Sequence, residues 1–179
     1  ICDADTGKPV PLGRGSVVGV TISGLTRGAP GAPGEIKGYF DAGKTGTVIK
    51  NTDLGVFGLY REAPIGKYSN PIPAAGRNEI KEGAAVMLCT LDSGEIGEYS
   101  IEIHSIDRTA SGGRCFSVRV TDRALLERTG GIIQGMSGSP IIQNGRLVGA
   151  VTHVLINDPA SGYGIFIENM YSAMPDILK

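Results

Sequence analysis

Apolar residues in this chain fall into short runs: Ser16 to Ser23, Glu35 to Phe40, Gly46 to Lys50, Leu54 to Tyr60, Ala84 to Leu91, Glu98 to Ile106 and Cys115 to Thr121. Each run is bounded by Gly, Pro, Asn or Asp, so the pattern predicts antiparallel strands joined by turns. Within Glu98 to Ile106, Ile101, Ile103 and Ser105 alternate with Glu102, His104 and Ile106, which predicts one partly wet face. Asn144-Gly145 between two apolar runs predicts a hairpin, because both residues tolerate positive φ. Ile167, Met170, Tyr171, Met174 and Ile177 recur at helical spacing and predict a helix over Glu168 to Leu178, weakened in its last turn by Pro175. A shorter helical or turn segment is expected at Arg123 to Arg128. The Gly/Pro/Ala stretch Gly28 to Gly34 is expected to cross the surface as a loop, and Pro64 to Glu82 to connect two lobes.

Composition reinforces this picture. Glycine makes up 28 of 179 residues and proline 10, which favours many short strands over long helices. The net charge of -1 gives no basis for binding nucleic acid or an anionic membrane surface. Cys2, Cys89 and Cys115 lack the spacing of a zinc site or a redox motif, and at most one disulfide could join them. No run of about 18 apolar residues is present. The chain opens at Ile1 without a methionine, and we expect it to be cut from a longer precursor.

The chemistry concentrates in Gly135-Met136-Ser137-Gly138-Ser139-Pro140. Acyl transfer by serine needs an exposed hydroxyl on a tight turn with backbone N–H groups converging on the developing oxyanion. Glycines on both sides of Ser137 allow such a turn and aim the amides of Gly135 and Ser137 into one hole. Ser139, next to Pro140 and past the turn, is expected to be a turn or core-facing hydroxyl. The string resembles the Gly-x-Ser-Gly-x-Pro signature of chymotrypsin-like proteases. Two histidines are present, and neither falls well before the serine in the N-terminal lobe, where that layout puts the general base. His104 is expected on the wet face of a strand. His153, on the strand after the hairpin, is a candidate together with Thr152 for contact with substrate.

Asp3 to Pro9, Pro33-Gly34-Glu35, Gly55 to Gly58, Thr129 to Pro140 and Gly149 to Val154 together resemble the peptidase domain of the stage IV sporulation protein B family. The resemblance spans nearly the whole chain. It implies an all-β, two-lobed trypsin-like double barrel with a short C-terminal helix, occupying residues 1–179 as one domain without its first strands, the lobe boundary near 64–82. It also implies a catalytic histidine in a Gly-His pair just upstream of Ile1, and Asp122 as the acid. The general trypsin-like layout points instead to Asp53, at a strand start between base and serine; Asp122 is preferred, with Asp53 as the alternative. No metal or organic cofactor is implied. The implied substrates are a few proteins, and the peptidase itself, in the space between mother cell and forespore. Their cleavage relieves inhibition of an intramembrane protease that activates a late sigma factor. Membrane attachment in the family comes from an N-terminal anchor outside this chain, and a PDZ domain lies ahead of the peptidase domain.

Overall fold

In the computed structural model, which describes residues 8–12, 14–62, 70–92 and 94–178, the strands sort into two groups. β1 (Gly15–Thr26), β2 (Glu35–Thr52) and β3 (Gly55–Tyr60) form an antiparallel three-stranded sheet. β4 (Gly83–Asp92), β5 (Glu95–His104), β6 (Phe116–Val120), β7 (Pro140–Gln143), β8 (Arg146–Leu155) and β9 (Asp158–Phe166) close a barrel in the order β4-β5-β6-β9-β8-β7. Helix α1 (Arg123–Thr129) joins β6 to β7, and α2 (Ile167–Ala173) follows β9. This is the trypsin-like architecture expected from the sequence, with a closed six-stranded barrel in one lobe and, among the described residues, a three-stranded sheet in the other.

The barrel closes around side chains that alternate as a strand requires. Phe116, Val118 and Val120 are buried while Ser117 and Arg119 face outward. Ile101 and Ile103 are fully buried, and the alternation stops at Ser105, whose φ of 48° ends the strand. Phe116 packs on Phe166 with ring centroids 5.4 Å apart. Burying each such ring contributes about 2–3 kcal/mol. Asn144 and Gly145 take φ of 52° and 74°, turning β7 into β8 as the Asn-Gly pair predicted.

Two expectations need correction. The runs Glu35 to Phe40 and Gly46 to Lys50 are halves of one strand, β2, because register shifts between Val17/Val18 and Val18/Val20 on β1 absorb the polar residues between them. Asp41 in that stretch accepts from the Thr21 hydroxyl at 2.8 Å. The C-terminal helix ends at Ala173 rather than Leu178: Met174 is extended (φ -63°, ψ 133°), the conformation favoured before a proline. A short 3₁₀ turn, Asp176–Leu178, follows. The loop Gly28 to Gly34 crosses the surface as expected, with residues 29–33 exposed, while its end glycines are buried against Thr129 and Ile133.

Part of the expected lobe connection, 63–69, lies outside the described residues, as do Cys2 and the Asp3 to Gly7 part of the resemblance. The connection's described remainder, 70–82, runs along β8: Leu147 N donates to Pro73 O and Ala75 N to Leu147 O, each at 2.9 Å. Arg77 then ties it to α2, with Nε donating to Glu168 at 2.6 Å and a second guanidinium nitrogen to Asn169 at 2.9 Å. Cys89 and Cys115 are buried free thiols.

Candidate active site

Ser137 stands on a turn held from several directions. Within the turn, Met136 N donates to Ile133 O at 3.1 Å and Ser139 N to Met136 O at 3.0 Å. The fully buried Met136 anchors it from below, its sulphur accepting from Ile133 N at 3.4 Å. Towards β8, Gly138 N donates to Val151 O at 2.8 Å, and Val151 N to Ser139 O at 3.0 Å. Gly135 and Gly138 adopt φ of 100° and 92°, values that disfavour a side chain. These bonds engage the amides of Met136, Gly138 and Ser139. Among the described residues, the amides of Gly135 and Ser137 have no acceptor. The Ser137 hydroxyl is exposed and donates to Thr152 O at 3.0 Å.

The third hold comes from the three-stranded sheet. Gln134 forms a parallel bridge with Glu35: Ile36 N donates to Gln134 O at 2.8 Å and Gln134 N to Gly34 O at 2.9 Å. Ile36 then covers Gly135, where an added Cβ would meet its side chain at 3.0 Å. A Cβ on Gly34 would lie 2.4 Å from Thr26 O and 2.7 Å from an Ile133 methyl, so the hairpin can lie this close only because position 34 lacks one. The hairpin also embraces the exit of α1, with Gly28 N donating to Thr129 O at 2.8 Å and Arg27 reaching the carbonyls of Leu126 and Glu127.

Asp122 is the N-cap of α1. One carboxylate oxygen accepts from Leu125 N at 2.9 Å and the other lies 3.4 Å from Ser100 N. Asp53 sits in the exposed β2–β3 turn, and none of the described residues donates to its carboxylate. Its carbonyl approaches Gly113 of the β5–β6 connection, 3.9 Å from where a Cβ on Gly113 would sit, and the same point is 3.7 Å from His153 Cε1. Gly113 O accepts from Thr152 Oγ1 at 2.7 Å. Gly113, Thr152 and Ser137 therefore form one hydrogen-bonded chain, and the Asp53 backbone approaches its Gly113 end across the seam between the lobes. Asp122 is not in it.

His104 pairs at 3.3 Å with Glu102 at the far end of β5 from Ile96, which lines a groove at Ser137; at ~3.3 Å per residue the separation along the strand is roughly 25 Å. His153 is exposed on β8, and its pKa is lowered, first by desolvation and then by the charge of Arg114. Ser139 is buried, and the pKa of the Cys89 thiol is raised by burial. The groove at Ser137, about 480 Å³, is walled by apolar residues that include Leu88, Ile96, Pro140, Ile142 and Leu147. Sequence reasoning missed the parts played by Gly34, Ile36 and Gly113. The Gly112-Gly113 pair between two predicted strands was the available signal of a close backbone approach.

Fold and turn together define a trypsin-like peptidase architecture. The family profile described as SpoIVB peptidase S55 matches residues 1–171. The chain belongs to that family of serine peptidases. Among solved structures it is similar to the active form of the Rv3671c protease of M. tuberculosis, at 18% sequence identity and a TM-score of 0.53. That match covers 83% of this chain and 66% of the other, just under two thirds of its length. The search of curated proteins gives no match.

Proposed function

We propose that this chain is a serine endopeptidase domain that cuts a small set of protein substrates, and itself, in sporulation signalling, through an acyl-enzyme on Ser137. The observation that carries the reading is the pair of unengaged amides, Gly135 and Ser137, beside an exposed hydroxyl on a firmly held turn. A tetrahedral oxyanion bound there would gain two donors, each typically worth ~10²–10³ in rate. The base is the histidine of the Gly-His pair expected ahead of Ile1, and it takes the Ser137 proton. His153 and Thr152 contact the substrate.

We assign the acid to Asp53 in place of Asp122. Supporting this, the Asp122 oxygens are directed to backbone amides of Leu125 and Ser100, while the Asp53 turn lies against the Gly113–Thr152 contact that reaches Ser137. Asp53 then fixes the tautomer of the histidine and stabilises its charged form. The family setting is extracytoplasmic, between mother cell and forespore, with membrane attachment through segments other than this chain. Among the described residues no helix is long and apolar enough to cross a membrane.

A second reading, a protease-like module that binds peptides without cutting them, draws on one observation: the Ser137 hydroxyl donates to a carbonyl and not to an imidazole. Fluorophosphonate labelling of the full-length protein separates the two. Labelling that disappears in Ser137→Ala supports the peptidase. A folded full-length protein that never labels leaves the binding module.

A further inference from the structure

Among the described residues, one cation that neighbours the Gly113–Thr152–Ser137 contacts has no counter-ion. Arg77, Arg119, Arg123, Arg128 and Arg146 each face a carboxylate within ion-pair distance. Arg114 is exposed, and among the described residues no carboxylate pairs with it. Its guanidinium carbon lies 5.3 Å from the centre of the Tyr163 ring, a cation–π contact that holds the group without neutralising it.

The placement of this charge is specific. Tyr163 is the register partner of His153 on β8, and Arg114 follows Gly113, whose carbonyl holds Thr152. Thr152 O in turn accepts from Ser137. β7 pairs with β8 only as far as Ala150, and the Ser137 turn takes the next position through Val151. Past Val151 that edge of β8 has no strand partner among the described residues, which is where an extended peptide could add itself by main-chain pairing. A side chain projecting from such a peptide over His153 and Tyr163 would meet the guanidinium. A guanidinium forks onto a carboxylate, so acidic side chains are the complementary class.

The geometry points to Arg114 as a specificity-determining residue that selects substrates carrying Asp or Glu about one to three residues from the scissile bond, at ~3.3 Å of strand per residue. This rests on the reading of Ser137 as the site of cleavage, and the test separates the two. Full-length protein with Ser137→Ala is titrated by fluorescence anisotropy with peptides in which one position is cycled through Glu, Gln and Lys, and unmodified protein is assayed for cleavage of the same set. The expected result is binding of the Glu peptides about tenfold tighter than Gln at one of those positions, the size of a partly exposed charge-assisted contact. Arg114→Gln should abolish the preference and Arg114→Glu should shift it to Lys, with unchanged thermal midpoints because the side chain is exposed. Arg114-dependent binding without cleavage keeps Arg114 as the contact for an acidic side chain and removes the peptidase reading, and with it the scissile bond. Cleavage at equal rates for the three charges overturns the inference and leaves the peptidase. Failure to bind any peptide also overturns it.

Discussion

The two lobes are built on different terms. In the barrel, Met87, Ile103, Leu125, Met136, Ile141, Val148 and Phe166 are completely buried. In the three-stranded sheet, Phe57 is the one large apolar side chain buried among the described residues, while Phe40 is 81% exposed and Tyr39 61%. The lobes meet through main-chain bonds, from Gly28 to Thr129, Gly31 to Ile156, and between Gly34–Ile36 and Gln134, and through half-buried Leu25, Ile36 and Leu54, which pack against the barrel core. Apolar burial in the barrel sets the stability of the molecule. The sheet supplies little of that, yet it holds the turn that presents Ser137. Substitutions in the two lobes should therefore fail in different ways.

The sharpest division concerns the two aspartates. Asp53→Asn should lower the rate of the full-length enzyme by about 10⁴, as loss of a triad acid does, with little change in stability. Asp122→Asn should leave the rate nearly intact, because asparagine still caps a helix, and Asp122→Ala should cost ~1 kcal/mol in denaturant unfolding. Opposite results, with the rate loss at Asp122, would return the acid to the barrel. Next comes the seam. Gly34→Ala forces a Cβ towards Thr26 O and Ile133 and should push the hairpin off Gln134. The expected cost is on the order of a hundredfold in rate through the displaced Gly135 amide, with an unchanged barrel. An active Gly34→Ala would show that the hairpin does not position the turn.

Much of this division is readable in the residues, though not all of it. The Gly135 to Pro140 string encodes its own turn through glycines at positive φ, and Asn144-Gly145 encodes the hairpin beyond it, since both depend on local backbone freedom. Asp122, preferred by family resemblance, reads locally as a cap as well, and sequence spacing could not weigh one role against the other. Strand β9 escaped prediction because Pro159, Gly162 and Gly164 look like turn residues. Strand position 164 requires glycine because a Cβ there would collide with the Phe116 ring at 2.3 Å. The seam was equally hidden: Gly34 and Ile36 lie about a hundred residues from Gln134, and the main-chain bonds that join them leave no side-chain signature.

The contrast in packing gives a third prediction, smaller in its effect on catalysis and larger in what it says about folding. Phe116→Ala in the barrel should destabilise the protein by about 3–5 kcal/mol, through lost transfer energy and the cavity left behind. Phe40→Ser on the exposed sheet should stay within about 0.5 kcal/mol. Equal losses at the two sites would mean that the sheet carries burial that the described residues do not reveal.

The smallest effect concerns the tie between the lobe connection and α2. The hydrogen bonds from Arg77, with its charge, hold the Glu168 carboxyl below the ordinary glutamate range. A carboxylate with a depressed folded pKa binds fewer protons in the folded state than in the unfolded one, so its contribution is fully present above the unfolded pKa and fades as pH falls through the folded value. Urea unfolding at pH 7 and below pH 4 should show that loss, and Glu168→Gln should flatten this part of the pH dependence. Both side chains are partly open to solvent, at 31% and 39% exposure, so the size should be that of a screened surface pair, about 0–1 kcal/mol. The same substitution should leave labelling of Ser137 unchanged, because the Arg77–Glu168 pair braces the outside of the barrel and is not one of the contacts that hold the turn. A fall in labelling would connect α2 to the active seam, through Met170, whose methyl lies near Gly55 beside the Asp53 turn.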